Sequence, residues 1–100
     1  MVGYFVGTDL KFKLGISCTG FSMADDDFSV TLVQGDVSIV VPKDEMVEDA
    51  GDYYLLVDTT QFKPGALTMI VTAYVPDDDF PGGTRREVSV AYLCNIKKTV

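Results

Sequence analysis

Two runs of three aspartates, at residues 25–27 and 77–79, are the strongest candidates for chemistry in this sequence. Carboxylate oxygens are the ligands that calcium prefers. The spacing of a helix–loop–helix calcium site is absent, however, and consecutive aspartates point in different directions. We therefore favour two solvated acidic loops without a metal. The alternative is a calcium site whose ligands would be Asp25, Asp27, Asp77 and Asp79.

The sequence does not assemble a common catalytic group. It contains no histidine, so the most frequent general base and metal ligand is missing, and no imidazole is present to activate a serine or cysteine. Asp44 and Glu48 are a carboxylate pair of the kind used in glycoside hydrolysis, but a small domain offers little cleft for a sugar. We expect no enzyme, no catalytic residue and no cofactor.

The charge balance argues against nucleic-acid and membrane partners. Eight Lys and Arg residues against fifteen Asp and Glu give a net charge of −7, whereas both partners require a basic surface. The first residues lack the pattern of a signal peptide, and no segment approaches the roughly 20 apolar residues of a membrane span. We expect one domain, residues 1–100, synthesised in the cytoplasm without export.

Two cysteines and two arginines need separate interpretation. Cys18 and Cys94 are too far apart in sequence for a CxxC motif. A disulfide between them would add about 4–5 kcal/mol on the entropic model, but free buried thiols are more usual in a protein that is not exported. Arg85 and Arg86 follow the second aspartate run closely, which favours an ion pair within that loop; the alternative is an anchor at a protein interface.

Apolar and polar residues alternate along most of the chain, as in β-strands. Gln34-Gly35-Asp36 predicts a hairpin turn, and residues 43–52 form either an open loop or one helical turn around Met46 and Val47 that ends at Gly51. The pattern predicts an all-β fold, an antiparallel, immunoglobulin-like β-sandwich of about seven strands. In the last strand the alternation places five residues on one face: Val88, Val90, Tyr92, Cys94 and Ile96.

Two predicted strands also carry apolar residues on the face that solvent would cover. Ile70 and Tyr74 hold these positions in residues 67–75, and Ala91 and Leu93 hold them in the last strand. Monomeric sandwiches usually have polar residues there. Either both faces of these strands are covered within the protein, or the surface contacts a partner. The candidate contact residues are Ile70, Tyr74, Leu93, Arg85 and Arg86.

Residues 48–53, Glu-Asp-Ala-Gly-Asp-Tyr, resemble the tyrosine corner of immunoglobulin domains, with Tyr53 as the corner tyrosine. The sequence has no cysteine at position 55 and no tryptophan. The likeness therefore supports a sandwich and not membership of the antibody-type superfamily.

Residues 53–88 follow a layout of strand, turn, strand, loop and strand. The turn D-T-x-x-F-x-x-G-x-L spans residues 58–67, and the loop P-D-x-D-F-P-x-G-x-R-x-E-V spans residues 76–88. A short strand at Tyr4-Phe5 fits the same layout. This layout resembles small β-sandwich proteins encoded among the virion genes of phages and prophages of gut Bacteroides-type bacteria.

The resemblance implies a non-enzymatic structural component of a virus particle, in the head, a head fibre or the tail. Such a protein is made in the cytoplasm of the bacterial host and located in the virion. Its partners would be other virion proteins or copies of itself in a homo-oligomer. The competing interpretation is a carbohydrate- or calcium-binding module that uses the acidic end loops.

Overall fold

The computed structural model describes residues 3–98 and confirms the predicted all-β sandwich. It contains eight strands instead of about seven. Turns, and a longer loop over residues 15–27, connect them, and three of the turns are 3₁₀ turns at Lys43–Glu45, Thr59–Gln61 and Pro81–Gly83. No helix in this described range is long and apolar enough to cross a membrane. The strands are β1 (Gly3–Phe5), β2 (Asp9–Leu14), β3 (Phe28–Gln34), β4 (Val37–Pro42), β5 (Val47–Asp49), β6 (Asp52–Asp58), β7 (Gly65–Pro76) and β8 (Thr84–Lys97).

The strands form two sheets. One has five strands in the order β1-β8-β7-β3-β4, and the other has three in the order β2-β6-β5. All pairs are antiparallel except the first, in which β1 lies parallel to the end of β8. The first and last strands of the chain are therefore neighbours.

Alternation produces the core because successive side chains of a strand point to opposite faces. In β3 the buried residues are Phe28, Val30 and Leu32, and the residues between them are only partly buried. The inward residues of both sheets meet in one cluster between them. Its members include Leu10, Leu14, Phe28, Val30, Leu32, Tyr53, Leu55, Val57, Leu67, Val71, Cys94 and Ile96.

Phe28 lies at the centre of an aromatic group in this core. Its fully buried ring makes edge-to-face contacts with Phe21, at 6.2 Å between centroids, and with Tyr53, at 5.3 Å. The ammonium of Lys43 lies 5.3 Å from the centre of the Phe28 ring and donates hydrogen bonds to the carbonyls of Ala24 and Asp26. Lys43 therefore fastens the 22–27 loop over this aromatic group.

Residues 43–52 form neither the open loop nor the helical turn around Met46 and Val47 that the sequence left as alternatives. The 3₁₀ turn is short, Val47 belongs to β5, and β5 pairs with β6 through a two-residue turn. Both turn residues have positive φ angles, 53° at Ala50 and 85° at Gly51, as in the type I′ turns that suit hairpins. The likeness to a tyrosine corner thus falls on a β-hairpin, and Tyr53 packs on Phe28 from within β6.

The backbone of Ala50 is strained in this turn, since the left-handed region is unfavourable for residues with a Cβ. We expect Ala50→Asn to raise the free energy of unfolding by about 0.5–1 kcal/mol, because Asn-Gly is the preferred type I′ pair. Gly51→Ala is the matched opposite change and should cost about 1 kcal/mol. Urea unfolding of both variants tests this, and an unchanged or lowered stability of Ala50→Asn would contradict it.

A β-bulge in β8 corrects the prediction for the last strand. Leu67 pairs with Cys94, but Thr68 pairs with Tyr92, so Leu93 is an extra residue. The bulge reverses the alternation. Cys94 and Ile96 are buried as expected. The three remaining residues of the predicted apolar face lie on the opposite, outer face of the five-stranded sheet: Val88, Val90 and Tyr92.

Thr59 holds the turn between β1 and β2. It is the one fully buried polar side chain in the described range. Its hydroxyl donates to the carbonyl of Thr8 at 2.6 Å and accepts from the backbone N–H of Gly7 at 2.9 Å. One side chain therefore connects the start of the chain to the turn that follows β6.

Candidate functional site

The first half of β8 contains the longest exposed run of any strand in the described structure. Every side chain from Arg86 to Tyr92 is exposed. Among them Val88 is 61% exposed, Val90 67% and Tyr92 48%. Apolar side chains at such exposure along one strand are typical of an interaction surface. We call the segment Thr84–Cys94 the β8 edge.

The β8 edge pairs on one side only. β7 lies along its whole length, whereas β1 pairs with β8 only at Asn95, Ile96 and Lys97. Within residues 3–98, no backbone hydrogen bond joins the other side of residues 84–94 to the rest of the protein. This side therefore presents unpaired N–H and C=O groups, which is the arrangement that accepts an additional strand.

The outer face of the five-stranded sheet continues the apolar surface of this edge. Strand pairing aligns Val40, Thr31, Ile70 and Val90 in one row across β4, β3, β7 and β8. Val40 at the far edge is 60% exposed, and Ile70 in the middle is partly buried. All four residues of the row are uncharged, so the row forms a weakly polar surface that is suited to contact with another protein.

A groove runs along the inner side of the β8 edge. It has a volume of about 400 Å³ and lies between residues 14–18 and the inward face of β7 and β8. Ile16, Met69 and Val71 give it apolar walls, and Ser89 and Ala91 give it small ones. The small side chains leave room for side chains of an added strand.

Arg85 closes the loop between β7 and β8. Its guanidinium forms the predicted ion pair with an aspartate of the 77–79 run, Asp77, and a second ion pair with Glu87 that was not predicted. The N–H of Asp79 and the Arg85 guanidinium hold the pKa of Asp77 below its usual value, and Arg85 also lowers the pKa of Glu87. Arg85 also donates a hydrogen bond to the carbonyl of Thr19 at 3.5 Å, so its guanidinium is occupied by groups of its own chain.

The five candidate contact residues do not all lie together. Ile70, Tyr74 and Arg86 share the outer face, where Tyr74 and Arg86 are register partners. Arg86 forms no ion pair with the described residues, so its guanidinium is available to a partner. Arg85 points into its loop, and Leu93 packs partly against the core at the bulge.

Comparisons with models of known protein families, with curated proteins and with solved structures found no match. These comparisons therefore show no family for the chain. A proposal for its function therefore depends on the surfaces of the protein and on the resemblance of residues 53–88.

The aspartate runs serve the loops that contain them. A carboxylate oxygen of Asp26 accepts from the N–H of Ser22 at 2.8 Å, and the carbonyl of Asp27 accepts from the N–H of Tyr74 at 3.0 Å. Asp77 is held by Arg85. Within residues 3–98, no three His, Cys, Asp or Glu side chains are grouped closely enough to hold a metal ion. The candidate ligands Asp25, Asp27, Asp77 and Asp79 are therefore not gathered into one site.

Asp44 and Glu48, the carboxylate pair considered for glycoside hydrolysis, line an open cleft of about 510 Å³ together with Tyr53. Lys43 also lines this cleft, but its ammonium is already bonded to two carbonyls. The Tyr53 ring is buried against Phe28 and does not offer a flat face for a sugar to stack on.

Both cysteines are free, as predicted. Cys94 is buried in the core, and burial raises the pKa of its thiol. Cys18 is only partly buried; desolvation and a hydrogen bond to Glu87 raise its thiol pKa. A raised pKa leaves less of the reactive thiolate, so neither thiol has the character of a nucleophile.

We expect acid to destabilise the protein through Asp77, Glu87 and Asp58, whose pKa values are all lowered in the folded state. A lowered folded-state pKa stabilises above the unfolded value, and this contribution is lost as pH falls through the folded value. Urea midpoints should therefore change little from pH 7 to 5 and fall below about pH 4.

Asp77→Asn should make the loss of stability at low pH smaller, because it removes the carboxylate that pairs with Arg85. Asp78→Asn is the control, since it makes the same change in net charge at a residue that forms no ion pair in the described structure. If the urea midpoints of the two variants fall equally at low pH, the ion pair between Asp77 and Arg85 does not contribute to the pH dependence of stability.

Proposed function

We propose that this protein is a non-enzymatic structural and assembly protein that acts through protein–protein contacts. The observation that carries the proposal is the β8 edge, a strand with one unpaired side and three exposed apolar side chains. Soluble proteins ordinarily protect such edges, because an unprotected edge recruits other strands. An edge retained in this form is best explained by a strand or sheet that covers it in the assembled state.

The virion context of the proposal comes from the resemblance of residues 53–88 to phage and prophage virion proteins. The turn of that layout contains Thr59, which is tied to Thr8, and its loop contains Asp77 and Arg85, which form an ion pair. Both motifs therefore support the shape of the sandwich and not a reaction. This agrees with a structural role in a head, a head fibre or a tail.

The alternative, a carbohydrate- or calcium-binding module, has less support. The carboxylate of Asp77 is neutralised by Arg85, and Lys43 in the cleft is bonded to the 22–27 loop. Of the exposed aromatic residues in the described range, Phe5 and Tyr92 lie on strands, and Phe80 alone lies in an end loop, the one after β7.

Fractionation of phage particles tests the proposal. Particles induced from the lysogen that encodes the chain are banded on a density gradient and analysed by mass spectrometry, with an abundant host cytoplasmic protein as the control. We expect the chain in the particle band at a constant ratio to the other virion proteins. A chain found only with the host control would overturn the proposal.

Calcium titration of the purified protein tests the alternative. A free energy of unfolding that rises by several kcal/mol when calcium is added would support the binding module instead. A rise of this size is roughly what a ligand produces at 100–1,000 times its dissociation constant.

A further inference from the structure

We infer that the β8 edge pairs with the β8 edge of a second copy, antiparallel and about a two-fold axis at Ser89. The inference rests on the proposed function and names its partner. The two five-stranded sheets would then join into one continuous sheet, with equivalent surfaces on both copies.

The length of the free edge selects this register. Within residues 3–98, the stretch without a partner on this side runs from Thr84 to Cys94, and β1 occupies the neighbouring position from Asn95 onward. The midpoint of that stretch is Ser89. A two-fold axis at Ser89 therefore centres the pairing on the exposed residues 86–92 and keeps it clear of the residues 95–97 that pair with β1.

The side chains at the edge are self-complementary in this register. On the outer face, Val88 of one copy lies opposite Val90 of the other, and Arg86 lies opposite Tyr92. The first pair buries two of the most exposed apolar residues in the described range, and the second is a cation–π pair. The symmetry repeats each contact.

The inner face also accepts the second copy. Ser89 meets its own equivalent at the axis, and Glu87 lies opposite Ala91, so no like charges are placed directly opposite each other. These residues lie beside the groove, whose wall there is formed by the small side chains of Ser89 and Ala91. The regular pairing extends from Arg86 to Tyr92, because the bulge at Leu93 disturbs the ladder beyond it.

The charge distribution favours this edge over other surfaces of an acidic protein. Two arginines and one glutamate are the charged residues of the segment 84–94, which is therefore locally basic in a chain of net charge −7. This edge therefore lacks the excess of acidic residues that makes copies of the chain repel each other elsewhere. Seven paired residues supply about seven backbone hydrogen bonds, within the range of about 10 ± 5 found in stable interfaces.

Light scattering of the purified protein tests the inference with a matched pair of variants. We expect the wild type to have twice the 10.9 kDa mass of the chain. Val88→Lys/Val90→Lys places lysines opposite each other and should weaken the dimer at least about 100-fold. Val40→Lys is the control, since Val40 is as exposed and lies on the same face at the other sheet edge; its dimer should be unchanged.

A cysteine at the proposed axis tests the register. Directly opposed Cβ atoms of an antiparallel pair lie about 4.5–5.5 Å apart, close to disulfide geometry. Ser89→Cys should therefore form a covalent dimer on mild oxidation, and Ser38→Cys, an exposed serine on β4, should not.

A wild type that stays monomeric, or a dimer that Val40→Lys disrupts and Val88→Lys/Val90→Lys does not, overturns the inference. Crosslinking at Ser38 but not at Ser89 does the same. The proposed function fails separately, on the absence of the chain from phage particles, whether the purified protein is monomeric or dimeric.

Discussion

Replacing Phe28 with alanine is expected to lower the free energy of unfolding by about 3–5 kcal/mol, the cost of a large cavity at a site that cannot collapse. Phe28 is fully buried, and its ring contacts Phe21, Tyr53 and the ammonium of Lys43. Removing the ring takes away a contact from all three residues. A loss of this size is a large fraction of the 5–15 kcal/mol that stabilises a typical domain.

Chemical denaturation of Phe28→Ala and Phe80→Ala provides the measurement and its control. Phe80 is 45% exposed in the loop after β7, so its truncation should change stability by less than about 0.5 kcal/mol. Phe28→Leu should fall between the two. A loss below about 1.5 kcal/mol for Phe28→Ala would contradict the central position of this ring.

Replacing Thr59 with valine should cost about 2 kcal/mol, because the N–H of Gly7 loses its acceptor while the side chain keeps its volume. The carbonyl of Thr8 loses the hydroxyl donor but keeps the backbone N–H of Thr59, at 3.3 Å. The loss of stability therefore comes from the hydrogen bonds that Gly7 and Thr8 lose beside the buried Thr59 side chain, and not from a cavity.

Thr59→Ser is the matched comparison for this prediction. It keeps the hydroxyl and removes one methyl group, which costs about 1 kcal/mol. Equilibrium unfolding should therefore rank wild type above serine and serine above valine. A valine variant as stable as the wild type would show that the two hydrogen bonds contribute nothing net.

The strands were predictable wherever one face is buried. In β2 and β3 apolar and polar residues alternate, and the structure buries the apolar phase, Phe12 only partly. β6 is a continuous apolar run, of which the structure buries the alternate residues Tyr53, Leu55 and Val57. β5 was missed because Val47, Glu48 and Asp49 are all exposed, so no buried face leaves an alternating pattern in the sequence. The fold class could be predicted because it depends on the long strands alone.

The candidate site was predicted less well, for one local reason. Val88, Val90 and Tyr92 are in phase with the buried Cys94 and Ile96, and the sequence around Leu93 contains no glycine or proline to indicate a bulge. The predicted contact residues therefore included Leu93 and omitted the three side chains that face solvent. The parallel pairing of β1 with β8 also left no sequence signal, because it depends on contacts between opposite ends of the chain.

The pairing of β1 with β8 determines how the protein responds to tension. β1 and the last residues of β8 run parallel, from Gly3 beside Asn95 to Phe5 beside Lys97, and the N–H of Val6 extends the contact to the carbonyl of Lys97. Force that pulls residues 3 and 98 apart acts along these strands. The hydrogen bonds between them are then loaded in shear and must break together, whereas strands peeled apart lose their bonds one at a time.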